Sequence, residues 1–327
     1  MTEANSIMDY SSEQLYLGAR QPLPHRIQLK AGVLTCLFEN GNLRYLKAGN
    51  EELIRMIYPA VRDEYWNTIP LTTINENILR DESGFSISYT CQFSSNEIRY
   101  EASVVITSRP DGQIRISFKG TALTPFMRNR IGLCVLLPIE TAKGRAGDVF
   151  DILGRSQPFF FPEMISPYQP LTNLGGLSWE TPLHTRIAIS FEGDVFEAED
   201  QRNWTDSSFK IYSTPLSQPF PVLVSPGDSV HQLISITLTH NIKTSFKPQN
   251  GNIVFATGKN SFPFPSIGYS QNSEGKLLTV EEWDLLEKLP FDHFRVDLKM
   301  NGNWRQKLTD ALYDSKNLRC PLELIVY

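Results

Sequence analysis

RIAISFEGDVFEAEDQRNWTDSSFKIY, residues Arg186–Tyr212, decides how the chain is read. Ile187, Ile189 and Phe191 alternate with polar residues and therefore share one face of a strand. Gly193-Asp194 supplies a turn. The returning strand places Phe196 and Ala198 on one face and Glu197 and Glu199 on the other. The hairpin then runs into Asp200, Arg202, Trp204, Asp206 and Lys210. So many charges are costly to bury without partners, and acid–base chemistry uses these side chains. One reading is a solvated loop with surface ion pairs. The other is a ligand site, favoured by the interleaved Trp204 and Tyr212 and by the proline-rich apolar run that follows.

Working outward, the same two-residue period recurs. Arg26–Lys30, Val33–Phe38 and Leu43–Leu46 read as strands, with Asn40-Gly41 as a hairpin turn between the last two. Glu51–Tyr58 is a further strand, followed by AVRDEYWNTIP (Ala60–Pro70). There Arg62, Asp63, Trp66 and Thr68 form a second polar–aromatic cluster, either a structural corner or part of a site. Thr72–Leu79, Phe85–Phe93 and Ile98–Ser108 continue the series. Pro110-Asp111-Gly112 turns the chain into Gln113–Thr121. Ile131–Leu137 is nearly continuous apolar and reads as a buried strand, with Arg128 and Arg130 at its entry. Two arginines there suit a carboxylate or a polarised carbonyl, or pairing with acidic loops. Gly144–Gln169 looks irregular and is expected as a long loop. Val230–Leu238 closes the β-rich part.

Strands at this spacing, almost without helical period, predict a large antiparallel β-sandwich over residues 21–245, with residues 1–20 as a leader. The character then changes. A linker with two short apolar strands leads to Thr279-Val280-Glu281-Glu282, a capping box that opens a helix ended by Pro290. Phe291–Leu298, a helix over Asn303–Asn317 and the apolar Leu322–Tyr327 complete a β-α-β unit with parallel strands. Residues 246–327 thus read as a linker and the first β/α units of an incomplete TIM-type barrel, since a closed barrel needs eight strands. The fold class is mainly β.

The 327 residues carry a net charge of −5 and no basic cluster, which excludes a nucleic-acid partner. No apolar run reaches the length of a membrane span. The polar N-terminus lacks a signal-peptide pattern, and the four scattered cysteines fit reduced, buried thiols, so a cytoplasmic protein is expected. There is no GxSxG, HExxH, P-loop or GxGxxG, and the five histidines are scattered, so neither metal nor cofactor is expected. Carboxylates and arginines remain as chemical resources. They suit hydrolysis of an activated ester or lactone, or of a glycoside.

EDQRNWTDSSFKIYSTPLSQPFPV (Glu199–Val222), RNRIGLCVLLP (Arg128–Pro138), AVRDEYWNTIP and FDHFRVDL (Phe291–Leu298) together resemble the bacterial D-apionate lactonases. The resemblance runs from about Arg62 to Tyr327. Members of that family carry an N-terminal β domain, a TIM-barrel domain and a small C-terminal β domain, and open D-apionolactone to D-apionate. It implies a small-molecule sugar lactone as the partner. Glu199 or Asp200 would then be the base on water, and Arg202 or Arg130 the oxyanion support. Arg62, Asp63, Trp66, Trp204, Asp206, Lys210, Arg295 and Asp297 are candidate binding residues. The competing readings are a non-catalytic carbohydrate-binding or scaffold domain and the N-terminal part of a glycoside hydrolase.

Overall fold

The computed structural model describes residues 24–239, 262–271, 275–300 and 302–327, together with residues 22 and 258. The expected leader and most of the expected linker lie outside the described residues; the linker's C-terminal part is described and contains a short strand, Gly268–Ser270. The chain divides into two compact units, with the boundary between Pro248 and Gln249.

Among the described residues the first unit holds eighteen strands, beginning with β1 (Arg26–Ala31), β2 (Leu34–Glu39), β3 (Asn42–Ala48), β4 (Glu51–Asp63), β5 (Leu71–Arg80), β6 (Phe85–Ser95), β7 (Ile98–Ser108), β8 (Ile114–Ala122) and β9 (Phe126–Pro138). A one-turn helix α1 (Ile139–Ala142) leads to β10 (Ala146–Phe150), β11 (Ser156–Phe160), β12 (Leu171–Leu174), β13 (Gly176–Glu180), β14 (Arg186–Glu192), β15 (Phe196–Asp200), β16 (Ser208–Tyr212), β17 (Val222–Val224) and β18 (Ser229–Thr239). They form two antiparallel sheets of nine strands each. One runs β1-β2-β3-β4-β9-β16-β15-β12, with β17 beside β9; the other runs β11-β10-β13-β14-β18-β8-β7-β6-β5.

The mainly β, antiparallel, sandwich-like architecture follows from the alternation in the sequence. β7 and β8 bury every second residue, Tyr100, Ala102, Val104 and Ile106 on one and Ile114, Ile116 and Phe118 on the other. A single apolar core joins them to Leu133, Val135, Phe196, Phe209 and Ile211 of the first sheet. At roughly 2 kcal/mol per fully buried large apolar side chain, this interlayer dominates stability. Local chemistry sets the turns. Asn40 and Gly41 both take positive φ (48° and 75°), as a two-residue hairpin of this kind requires. Gly112 donates to Arg109 O at the β7–β8 turn.

The Gly144–Gln169 stretch corrects the expectation of a loop. It supplies β10 and β11, paired from Ala146↔Phe160 to Phe150↔Ser156 at one edge of the second sheet. β11 is mostly exposed and β10 buries only Val149, so the backbone ladder holds them and no apolar alternation betrays them. The strand expected to end at Tyr58 also continues to Asp63.

Gln232 of β18 reaches from the second sheet into the first. Its Oε1 accepts from Leu133 N (2.8 Å) and its Nε2 donates to Ser213 Oγ (2.6 Å). It packs where Gly132 bends β9 with φ 148°; a Cβ there would lie 2.4 Å from the Gln232 amide.

Among its described residues the second unit holds three parallel strands, β19 (Gly268–Ser270), β20 (His293–Leu298) and β21 (Leu322–Val326), in that spatial order. Helix α2 (Val280–Leu286) opens with the full capping box. Glu282 N donates to Thr279 Oγ1 (3.3 Å), and Thr279 N donates to Glu282 Oε2 (2.7 Å). Helix α3 (Trp304–Asn317) packs Ala311 and Leu308 against Phe294, Val296 and Leu298. No described helix is long and apolar enough to cross a membrane.

Candidate functional site

The site lies on the face of the first sheet that alternation turns away from the sandwich core. In β4, β9, β16 and β15 the residues Val61, Ile131, Leu133, Val135, Phe209, Ile211, Phe196 and Ala198 face inward. The residues between them, Tyr58, Ala60, Arg62, Arg130, Cys134, Lys210, Tyr212, Glu197 and Glu199, share the opposite face. Antiparallel register sets Tyr58 opposite Cys134, Ala60 opposite Gly132 and Arg62 opposite Arg130. It also sets Glu199 opposite Lys210 and Glu197 opposite Tyr212. A satellite apolar cluster of Ala60, Cys134 and Tyr212, with Tyr58 against it, floors the cavity above.

That cavity has a volume of about 540 Å³, the size of a small-molecule site. Arg62, Trp66, Arg130, Glu199, Gln201, Trp204, Lys210 and Tyr212 line it. Glu199 Oε1 accepts from Lys210 Nζ (3.1 Å) and from Gln201 Nε2 (2.7 Å), whereas no hydrogen bond among the described residues involves its Oε2. The Arg130 guanidinium stacks 3.6 Å from the Tyr212 ring centroid and 4.8 Å from that of Trp66. Beneath it, Glu197 is buried and accepts from Tyr212 Oη (2.6 Å) and Leu216 N (2.7 Å). Arg62 donates to Trp66 O (2.9 Å). Trp66 and Trp204 are 39% and 73% exposed, which leaves ring surface open to a ligand.

Burial pushes the phenols of Tyr58 and Tyr212 upward, the latter also through its bond to Glu197. Burial raises the Cys134 thiol too, although Lys210, Tyr58 and Arg130 pull the other way. These three groups therefore stay protonated at neutral pH and offer no thiolate or phenolate nucleophile.

Of the candidates read from the sequence, the fold brings together Arg62, Trp66, Arg130, Glu199, Trp204 and Lys210. Asp200 and Arg202 are not among the residues that line the cavity, and their hydrogen bonds lie elsewhere. Alternation puts Asp200 on the inward side with Phe196 and Ala198. Its Oδ1 accepts from Arg202 N (3.1 Å) and Nε (2.9 Å), and its Oδ2 from Arg202 Nη2 (2.7 Å) and Ser166 N (2.9 Å). Arg202 also donates to the carbonyls of Pro162, Glu163 and Met164. Together they clamp the 162–166 segment onto the 3-10 turn Gln201–Trp204. Burial alone would raise the Asp200 carboxyl, but these four donors hold it below the usual carboxylate range.

Asp63 is likewise committed to its own corner, accepting from the backbone of Tyr65 and Asn67 and from Asn67 Nδ2. Asp206 is exposed beyond the 3-10 turn. Arg295 and Asp297 belong to β20 of the second unit and pair with each other at 3.1 Å. Glu197, Gln201, Tyr212, Tyr58 and Cys134 were missing from the sequence-based set. The two-residue period, extended from Glu199 to Glu197 and from Lys210 to Tyr212, was the available signal for two of them. Among the described residues no three His, Cys, Asp or Glu side chains converge as a metal-ligand set.

Comparison with known proteins adds a lineage. The chain is 29% identical over 278 residues to the D-apionate lactonase of Brucella anthropi, an alignment covering 84% of this chain. The chain spans 46% of the length of that relative. Among solved structures it is similar to a putative aldose 1-epimerase from Escherichia coli K12, at 12% identity and TM-score 0.44, covering 66% of this chain and 99% of that one. It is also similar to the Slr1438 protein from Synechocystis sp. PCC 6803, at 10% identity and TM-score 0.46, covering 67% and 96%. These structural likenesses are loose, and the fold rests on the strand pairing described above. The model of the D-apionate lactonase N-terminal domain matches residues 14–241, the whole of the sandwich that carries the cavity, and the chain belongs to that family.

Proposed function

We propose that this chain takes part in opening a sugar-acid lactone of the D-apionolactone type, and that the cavity on the first sheet is where the lactone binds. The observation that supports this most directly is Glu199. Its Oε1 is held by Lys210 and Gln201 while Oε2 has no hydrogen-bond partner among the described residues, in a cavity that also presents Arg130 and two exposed indoles. A carboxylate oxygen turned to the cavity in this way can take up a proton as a general base.

In this reading Glu199 Oε2 takes a proton from water as the water oxygen bonds to the lactone carbonyl carbon. The carbonyl oxygen gains negative charge, which Arg130 neutralises. Collapse of the tetrahedral intermediate breaks the ring C–O bond, and the leaving alkoxide takes up the proton held by Glu199. One water is consumed and a hydroxy acid is released, ionised at neutral pH. Trp66 and Trp204 offer flat apolar surfaces to the carbon skeleton of the ring. The second unit, with strands β19, β20 and β21 parallel and in sequence order and a helix between each pair, supports a reading as the opening of a (β/α) barrel.

The test is proton release from D-apionolactone by the 327-residue chain and by Glu199→Gln. Turnover in the wild type and a loss of about 100-fold or more in the variant, with unchanged folding, is the expected result. Equal turnover in both would remove Glu199 from the chemistry. Binding of the lactone by the wild type without any turnover would leave the cavity a sugar-binding site.

A further inference from the structure

The cation content of the cavity exceeds what a neutral lactone requires. Arg62 and Arg130 stand directly opposite each other across β4 and β9, on the same face. Like charges in that relation repel, so the pair is unfavourable unless an anion lies between them. Neither carboxylate of the cavity forms a close ion pair with Arg62 or Arg130 among the described residues. Glu199 is held by Lys210 and Gln201, and Glu197 by Tyr212 and Leu216 N. Among the described residues Arg62 makes no ion pair, and Arg130 only a long one, 3.8 Å from Nη2 to Glu197 Oε1. Three cations thus face two carboxylates.

Arg130 is the more telling of the two. Its side chain is only 11% exposed, yet none of its N–H groups makes a hydrogen bond among the described residues. An unspent guanidinium at that depth is costly unless something completes it. Tyr212 and Trp66 lie over its π surface, which leaves the rim of the guanidinium, where the N–H donors lie, for a partner. Glu197 holds Tyr212, and Trp66 packs edge-on against Phe220 with centroids 5.4 Å apart, so the stack is braced from both sides. A planar two-oxygen anion of single charge matches both the fork and the missing charge.

We propose that the cavity recognises a carboxylate, through Arg130 with Arg62 opposite. The ligand class it selects is then a short polyhydroxy acid, the ring-opened product included. The neutral lactone binds more weakly than the acid it becomes, and the acid inhibits its own formation. This inference rests on the reading that the cavity is the ligand site for sugar-acid chemistry.

The experiment is calorimetric titration of the full chain with D-apionate, with its neutral alditol and with inorganic phosphate, on the wild type, Arg130→Gln and Arg130→Lys. D-apionate is expected to bind the wild type at least tenfold more tightly than the alditol, the worth of one charge-assisted pair. Arg130→Gln should erase that preference, and Arg130→Lys should restore only part of it. If Arg130→Gln fails to fold by circular dichroism, Arg62→Gln takes its place and should reduce the preference. Equal affinity for acid and alditol, or a preference that survives both glutamine variants, overturns the proposal. Phosphate binding more tightly than D-apionate overturns the carboxylate assignment. Lactone turnover measured on the same samples separates the two readings. Turnover without acid preference sinks this inference alone, whereas acid preference without turnover sinks the lactonase reading alone.

Discussion

Replacing Asp200 by asparagine tests whether a carboxylate beside the cavity serves chemistry or architecture. The side chain is fully buried, and each of its oxygens accepts two donors, three of the four bonds coming from Arg202 and one from Ser166 N. Asparagine keeps one acceptor oxygen; its amide nitrogen would confront two N–H groups. Two hydrogen bonds are lost, donors are left unmatched, and the Arg202 guanidinium loses its counter-charge. Breaking a buried pair from one side costs about 3–5 kcal/mol. For a domain of this size roughly 2–4 °C of melting temperature accompanies each kcal/mol, so a fall of about 6–20 °C is expected by calorimetry or thermal circular dichroism. The pH dependence should change as well. The Asp200 carboxyl is held below its unfolded value, near 3.9, so its stabilisation is present above that pH and lost as pH falls through the lower folded value. Asp200→Asn should flatten that acid limb. The double variant Asp200→Asn/Arg202→Gln should lose less than the sum of the single losses. A melting temperature within a degree or two of wild type, combined with lost lactone turnover, would refute the clamp and return Asp200 to the chemistry.

Other expectations follow from the same contacts. Gly132→Ala sets a Cβ against the Gln232 amide at a φ of 148°, and should destabilise the sandwich by about 2–4 kcal/mol in urea titration. Adding Gln232→Ala should recover part of that loss. In the second unit Asp314 is buried, accepts from Trp283 Nε1 and Leu278 N, and leaves Oδ2 unpaired. Burial raises its carboxyl above the unfolded value, so the unit's stability should fall as pH rises from the unfolded towards the folded value. Asp314→Asn should remove that slope and stabilise the unit by about 1 kcal/mol at neutral pH, read by hydrogen exchange of α3. Cys134 is buried with a raised thiol, so native-state alkylation should label the half-buried Cys320 first and Cys134 only after unfolding.

The β character of the first 240 residues was legible because a half-buried strand needs a two-residue period, and Ile187–Phe191 or Tyr100–Ile106 show it plainly. Turn chemistry at Asn40-Gly41 and the box at Thr279–Glu282 were readable for the same reason, since both act over a few residues. β10 and β11 escaped because short strands held mainly by backbone bonds, with Val149 their one buried side chain, carry no apolar alternation.

The inventory of the cavity was also partly local. Arg62, Arg130, Glu199 and Lys210 stood out as charged side chains in strands, and Trp66 and Trp204 as aromatics in the turns that follow them. What the sequence by itself determined was which residue types were available and, strand by strand, which shared a face. Only the tertiary structure decided which strands lie side by side. The pairing of β4 with β9 joins Arg62 to Arg130 across 68 positions, and that of β16 with both β9 and β15 brings Lys210 and Tyr212 to them. It also separated neighbours in sequence. Glu199 and Asp200 are adjacent, yet the pleat sends one carboxylate to the cavity and the other into a clamp, because successive side chains of a strand must point to opposite faces.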